Sequence, residues 1–66
     1  MKIVFNGDET EIERDTTLAE LLASAGLLGK RIAIEVNREI VPRSEYATRS
    51  LAPADRIEVV QAIGGG

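Results

Sequence analysis

Residues 17–26, with the sequence TLAELLASAG, decide the fold, because they form the one stretch with a helical pattern longer than a single turn. Thr17 and Glu20 have the spacing of a capping box, in which each side chain accepts a hydrogen bond from the other residue's backbone N–H. One apolar face recurs at helical spacing, and its members are Leu18, Leu21, Leu22 and Ala25. Gly26 supplies a left-handed cap. The sequence therefore predicts a two-turn helix, from Leu18 to about Ala25, that needs a sheet to pack against.

A β-hairpin is predicted before this helix. Residues 2–6 alternate between two faces, with Ile3 and Phe5 on the inner one. Asn6-Gly7 is a strong hairpin signal, because both central residues of a type I′ turn need a positive φ. The return strand is predicted over residues 9–13, where glutamates alternate with a threonine and an isoleucine.

The chain after the helix predicts three more strands. The first covers residues 31–36, in which β-branched residues alternate as in a strand with one buried face. Residues 37–39 predict a turn, residues 40–41 a very short edge strand that Pro42 stops, and residues 53–55 another turn. Residues 44–47 resemble a single helical turn, and the last strand is predicted over residues 56–60, with Ile57 and Val59 facing inward.

The order of these elements is hairpin, helix, strand, short strand and strand. One helix that covers one face of a mixed sheet is a two-layer α+β design, with a right-handed crossover between parallel strands. The order matches the β-grasp, or ubiquitin-like, fold with a sheet of four to five strands. We expect one domain over residues 1–60 and a flexible C-terminal tail over residues 61–66.

The composition excludes several classes of function. The chain has 66 residues, with no cysteine and no histidine. Disulfides, the usual structural zinc sites, and histidine or cysteine catalysis are therefore excluded, and the chain is too short to enclose a roomy ligand pocket. No run of residues approaches a membrane span, and Met1-Lys2 leads straight into a strand-like segment rather than a signal peptide. We expect a cytoplasmic protein that binds neither a membrane nor a cofactor of its own.

The charge of −3 is unevenly distributed. Six acidic residues face two basic ones in the first twenty positions, whereas the remaining positions are nearly balanced. Glu9, Glu11 and Glu13 share one face of the predicted second strand, a spacing that could also suit a metal. We interpret them as a solvated face, because alternating exposed acids are ordinary on a hairpin. The lack of a basic stripe and the presence of only two aromatics argue against nucleic-acid binding.

The remaining candidate for chemistry is the C-terminal segment, with the sequence QAIGGG over residues 61–66. Such a segment is in many proteins only a frayed terminus or a linker. Against that interpretation, the glycines follow directly from the last predicted strand, and Ile63 is apolar where a linker is usually polar. The segment can extend by about 20 Å, at ~3.3 Å per residue. Because glycine has no Cβ, its backbone fits a channel too narrow for other residues, so the carboxylate of Gly66 could be placed in a partner enzyme's active site.

The whole chain resembles the ubiquitin-like sulfur carriers, and within them the sulfur carriers of thiamine biosynthesis. The resemblance is carried by five segments: Ile3-Val4-Phe5-Asn6-Gly7, Thr17-Leu18-Ala19-Glu20-Leu21-Leu22, Ala33-Ile34-Glu35-Val36-Asn37, Ile40-Val41-Pro42-Arg43-Ser44, and residues 57–66. The terminal glycines are shared by all ubiquitin-like carriers. The Val-Asn and Ile-Val-Pro-Arg segments are more specific to the thiamine group.

The resemblance implies a protein co-substrate rather than an enzyme, with no catalytic residue and no metal of its own. A ubiquitin-activating-like adenylyltransferase would use ATP to adenylate the carboxylate of Gly66. Sulfur derived from cysteine, through a donor such as a cysteine desulfurase, would replace the adenylate and leave a thiocarboxylate. Thiazole synthase would then receive that sulfur. Gly65 and Gly66 correspond to the family's terminal pair, and Gly64 lengthens the thin part of the tail inside a partner's active site.

A partner-binding surface and three alternative functions complete these expectations. Val4 and Val60 point away from the helix-covered face, and Ile63 would continue a small apolar patch along the tail. The sequence leaves open a carrier of sulfur for molybdopterin or another sulfur-containing product. It also leaves open a ubiquitin-like protein modifier and a β-grasp interaction module without chemistry.

Overall fold

The computed structural model describes residues 1–61 of the chain, and the side chains of residues 1–60. The main elements in chain order are β1 (Lys2–Phe5), β2 (Asp8–Glu11), α1 (Leu18–Ser24), β3 (Ile32–Val36), β4 (Glu39–Val41) and β5 (Arg56–Gln61). A 3-10 turn, Arg43–Glu45, lies between β4 and β5. No helix in this part of the chain is both long enough and apolar enough to span a membrane.

The five strands form one mixed sheet in the order β2-β1-β5-β3-β4. The central strands β1 and β5 are parallel, whereas the β1–β2, β3–β5 and β3–β4 pairs are antiparallel. The first and last strands of the described chain therefore lie side by side in the middle of the sheet. This is the predicted α+β architecture, with β4 on the edge as Pro42 suggested.

The first hairpin confirms the predicted turn but not the predicted length of its second strand. Asn6 and Gly7 have φ values of 51° and 86°, as a type I′ turn requires. β2 begins at Asp8 and ends at Glu11, so the predicted alternation does not extend to Glu13. The chain leaves the sheet after Ile12, whose backbone N–H donates to Met1 O at 2.8 Å and whose side chain packs against the core.

The helix begins as predicted and ends slightly earlier. The Glu20 N–H donates to Thr17 Oγ1 at 3.1 Å, and the Thr17 N–H donates to Glu20 Oε1 at 2.9 Å, so the capping box is present. At the other end Gly26 has a φ of 74°. The Gly26 N–H donates to Ala23 O, and the Leu27 N–H donates to Leu22 O at 2.8 Å, which is the bonding pattern of a Schellman motif.

The prediction that Ala25 belongs to the buried face is wrong. Ala25 is the C-cap of the helix and is exposed. The Schellman turn folds the chain back, so that Leu27 packs against the core next to the buried end of the helix. The apolar face therefore continues through the turn rather than along the helix.

The second hairpin differs from its prediction by one residue at each strand. β3 begins at Ile32 rather than at residue 31, and β4 begins at Glu39, so only Asn37 and Arg38 form the turn. Both have a positive φ, of 53° and 70°. β5 likewise extends one residue beyond the predicted strand, because Gln61 still pairs with Ile32.

The core lies between the sheet and the helix. Its buried members are Ile3, Leu18, Leu21, Leu22, Ile34, Val36, Val41, Tyr46, Leu51 and Ile57. Val59 and Ile32 are half-buried and pack against them, so the inner faces predicted for β3 and β5 are confirmed. Tyr46 and Leu51 come from the segment between β4 and β5, for which the sequence predicted only a helical turn and a second turn at residues 53–55.

Replacing Thr17 with alanine removes one half of the capping box, and we expect it to cost about 1 kcal/mol of the free energy of unfolding. For a domain of this size, that loss lowers the melting temperature by about 4–8 °C. Thermal unfolding followed by circular dichroism measures the change. Thr17→Ser keeps the hydroxyl and serves as the control. Equal melting temperatures for the two variants would show that the cap does not stabilise the helix.

Candidate functional site

The tail residues that the sequence singled out, Ile63, Gly64, Gly65 and Gly66, lie outside the residues that the structure describes. The structure does describe the strand from which the tail continues. Gln61 is the last residue of β5, and it pairs with Ile32, the first residue of β3. The described part of the candidate site is therefore the end of β5 and the surface around it.

The end of β5 extends beyond β1. The last pair between these two strands joins Phe5 and Ile57, and the Asn6 N–H still donates to Ile57 O at 2.9 Å. The Val59 N–H then donates to the Asn6 side-chain oxygen, Oδ1, at 2.9 Å. The asparagine side chain thus replaces the next backbone partner that β1 lacks, and it holds β5 one step further toward the tail. Asn6 has a second role besides the turn, which the sequence alone did not indicate.

Val4 and Val60 share the face of the sheet that lies opposite the helix, as predicted. Val60 is 40% exposed, whereas Val4 is half-buried. They are not neighbours, however, because Val4 pairs with Arg56, and Val60 lies four residues further along β5. Four residues of a strand span about 13 Å. The expectation of one apolar patch made by these two side chains is therefore wrong in its geometry, although the role of each in binding stays a prediction.

Val60 has an apolar neighbour that the sequence did not indicate, because Ala33 pairs with it across β3 and β5. Ile40 lies on the same face of the edge strand β4 with 59% of its surface exposed, and it pairs with Glu35, two residues along β3 from Ala33. We call Ala33, Ile40 and Val60 the outer-face patch. Strand alternation could have indicated the position of Ile40. Neighbouring residues of a strand point to opposite faces, and Val41, next to Ile40, is buried.

The acidic residues of the hairpin face positive charges and do not form a cluster. The Met1 ammonium lies 3.1 Å from Glu11 Oε2, and Lys2 Nζ lies 4.0 Å from Glu9 Oε1. Glu13 lies beyond the end of β2 and so does not share their face. Within residues 1–61 the structure contains neither a group of acidic side chains that could hold a metal ion nor a ligand pocket.

Three cations lie at the end of the sheet from which the tail continues. Lys30 and Arg31 come directly before Ile32, the residue that pairs with Gln61. Arg43 follows β4, and its Nη2 donates to Lys30 O at 3.3 Å, although the two residues are thirteen positions apart. All three side chains are exposed. We call Lys30, Arg31 and Arg43 the basic cluster. No pattern in the sequence indicates that Arg43 lies near the other two.

The comparisons with known proteins agree with the resemblance in the sequence. The model of the ThiS family matches residues 3–66. The Bacillus subtilis sulfur carrier protein ThiS is 39% identical over 62 residues, which is 92% of this chain and 94% of that protein. A thiazole synthase of Paramagnetospirillum magneticum is 41% identical over the whole chain, but the chain spans only 20% of its length.

The fold is also that of a known structure. A thiamine biosynthesis protein (ThiS) from Geobacter metallireducens superposes with a TM-score of 0.86 over the full length of both chains, at 22% identity. The predicted ubiquitin-like β-grasp fold is thereby confirmed.

Proposed function

The chain belongs to the ThiS family, and on that premise we propose that it carries sulfur on the terminal carboxylate of Gly66 for the thiazole of thiamine. As a ThiS sulfur carrier, it is a co-substrate of other enzymes and not itself a catalyst. One observation carries the proposal. The match to the family extends to residue 66, so it includes the three terminal glycines together with the folded domain.

The proposed reaction begins at a partner enzyme, a ubiquitin-activating-like adenylyltransferase. An ionised carboxylate is a poor electrophile, so the partner uses ATP to convert the Gly66 carboxylate into an acyl adenylate and releases pyrophosphate. A sulfur donor system, such as a cysteine desulfurase together with a thiol reductant, then supplies sulfur at the oxidation level of sulfide, which attacks the acyl carbon and displaces AMP. The product is a thiocarboxylate, and the whole sequence takes place in the cytoplasm. Gly64 and Gly65 leave the end of the chain thin enough to enter both partners' active sites.

The acceptor of the sulfur is, in this proposal, a thiazole synthase. Support comes from the relatives in which a segment similar to this whole chain forms 20% of a protein named thiazole synthase. A carrier and its acceptor that share one polypeptide have a high effective concentration for each other. The present chain resembles the carrier segment of these relatives.

The direct test is an intact mass measurement. The chain is incubated with a ThiS-type adenylyltransferase, ATP and a sulfur source, and its mass is then compared with that of a sample without ATP. A mass increase equal to the exchange of one oxygen for sulfur supports the proposal. An unchanged chain argues against it, and adducts that join Gly66 to lysines of other proteins favour a protein modifier instead.

The outer-face patch is the proposed partner-binding surface next to the tail, and Val60 is its residue nearest the tail. We expect Val60→Asp to weaken binding to the adenylyltransferase by about tenfold or more, because a charge would be placed in an apolar contact. The melting temperature should change little, since the side chain is exposed. Isothermal titration calorimetry measures the binding. Val4→Asp tests whether the contact extends to Val4. This residue lies on the same face of the sheet in β1, where it pairs with Arg56, four residues before Val60. Unchanged affinity of Val60→Asp would remove the patch from the interface.

A further inference from the structure

The end of β5 lies next to the basic cluster, and nothing in the reaction proposed above uses these cations. Gln61 and Ile32 are paired, and paired Cα atoms of an antiparallel ladder lie about 5 Å apart. Arg31 is the residue directly before Ile32. A cationic residue therefore lies directly before the residue that pairs with Gln61, the last residue that the structure describes.

The cluster is held in place by the backbone. Lys30 O accepts hydrogen bonds from the Ile32 N–H at 3.0 Å and from Arg43 Nη2 at 3.3 Å. The Lys30 N–H in turn donates to Leu27 O at 3.1 Å, and Leu27 packs against the core. These hydrogen bonds connect the loop between α1 and β3 to Leu27, to the start of β3 and to Arg43. Lys30, Arg31 and Arg43 therefore lie close together.

The charges of the cluster are not neutralised within the described chain. Neither of the two salt bridges among residues 1–61 involves Lys30, Arg31 or Arg43. No acidic residue occurs between Glu20 and Glu35, and Asp8, Glu9 and Glu11 lie on β2, at the opposite edge of the sheet from β4. Glu45 follows Arg43 by two positions, and no salt bridge joins the two among the described residues. The cluster is therefore a local excess of positive charge near the end of β5.

Leu28 indicates what kind of surface meets the basic end. It lies two residues before Lys30, and 55% of its surface is exposed, because Leu27 takes the inward position in this loop. An exposed large apolar side chain among arginines is typical of a protein–protein interface, where arginine is enriched and apolar contacts are buried. The exposed apolar side chain favours a protein partner over a ligand recognised only by its phosphates.

We propose that the basic cluster, with Leu28, docks on an acidic surface at the entrance of the partner site that receives the tail. This inference rests on the function proposed above, in which the tail enters the adenylyltransferase. Complementary charges steer an approaching partner and act mainly on the rate of association. Cations placed around the base of the tail would orient the chain so that the tail meets the entrance first.

The test compares two charge-reversed proteins of equal net charge. Arg31→Glu with Arg43→Glu reverses the cluster, and Arg14→Glu with Arg38→Glu makes the same change at exposed positions toward the opposite ends of the strands. Stopped-flow mixing with the adenylyltransferase, with and without ATP, measures the association rate at low and high salt. We expect the cluster variant to associate about 10–100 times more slowly than the native chain at low salt, and the control variant to stay within about threefold. High salt should bring the rates together.

Three outcomes would overturn the proposal: equal slowing of both variants, no slowing of either, and slowing that occurs only when ATP is present. The first would mean that only net charge matters, and the last that the cations bind nucleotide phosphates. Circular dichroism checks that both variants are folded, and Arg31→Gln with Arg43→Gln replaces the cluster variant if it is not. The intact mass assay distinguishes a failure of this inference from a failure of the proposed sulfur-carrier function. If the native chain gains sulfur but the rates do not depend on the cluster, only this inference fails.

Discussion

A chain that ends at Gly65 is expected to lose at least 99% of its rate of thiocarboxylate formation while keeping its stability. The shortened chain still ends in two glycines and a carboxylate, so its chemistry is unchanged. Its carboxylate, however, falls short by one residue, or about 3.3 Å. A misplacement of about 1 Å can already cost about 100-fold in rate when a reacting atom must meet an activated phosphate in line. Single-turnover kinetics followed by intact mass gives the rate.

A full-length variant separates reach from sequence in this experiment. Gly64→Ala keeps all 66 residues and the terminal pair of glycines but replaces the first glycine. If reach is what matters, this variant should react far faster than the shortened chain. The unfolding midpoints of both should equal that of the native chain, because neither change touches the described domain. A shortened chain that reacts at the native rate would contradict the proposed placement of Gly66.

The second large effect is expected in the core. Leu22→Ala should leave most of the chain unfolded at room temperature. Leu22 is fully buried in the middle of the core, and its truncation removes apolar contacts and leaves a cavity, at a cost of about 2–5 kcal/mol. A single core in a domain of this size rarely supplies more than roughly 3–5 kcal/mol. The loss is therefore comparable to the whole free energy of unfolding.

Leu28→Ala is the matched control for this prediction. It is the same substitution six residues further along, but at a side chain that is 55% exposed, so the expected change is within about 0.5 kcal/mol. Urea unfolding followed by circular dichroism measures both variants. Equal midpoints for the two would mean that the helix does not pack on the sheet as the structure describes. A Leu22→Ala protein that is mostly folded at room temperature would contradict the predicted size of the loss.

The sequence predicted those features that depend on a few adjacent residues. The capping box of Thr17 and Glu20, the type I′ turn at Asn6-Gly7 and the cap at Gly26 each follow from local chemistry, and each is present. Alternation predicted which residues of β3 and β5 face the helix. These signals need no knowledge of the rest of the fold.

Features that depend on how distant segments meet could not be predicted in this way. The burial of Tyr46 and Leu51 depends on the path of a loop without a periodic pattern. The separation of Val4 from Val60 depends on the register between β1 and β5. Alternation along a strand assigns each side chain to a face of the sheet but does not predict this register. The approach of Arg43 to Lys30 depends on the end of β4 reaching the loop after the helix. In the candidate site, therefore, the reacting end at Gly66 stays a prediction of the sequence, and most of the described surface around it could not be predicted.

The central position of β5 has a consequence for protein synthesis. During translation the ribosome releases β1, β2, the helix, β3 and β4 before β5, yet β5 is the strand that joins the β1–β2 hairpin to the β3–β4 hairpin. Until it emerges, neither half has its neighbour, and the core cannot close. The domain is therefore expected to fold only after residue 61 has left the exit tunnel. A nascent chain interrupted earlier would lack the fold as well as the glycines, so incomplete products would not compete for the proposed activating enzyme.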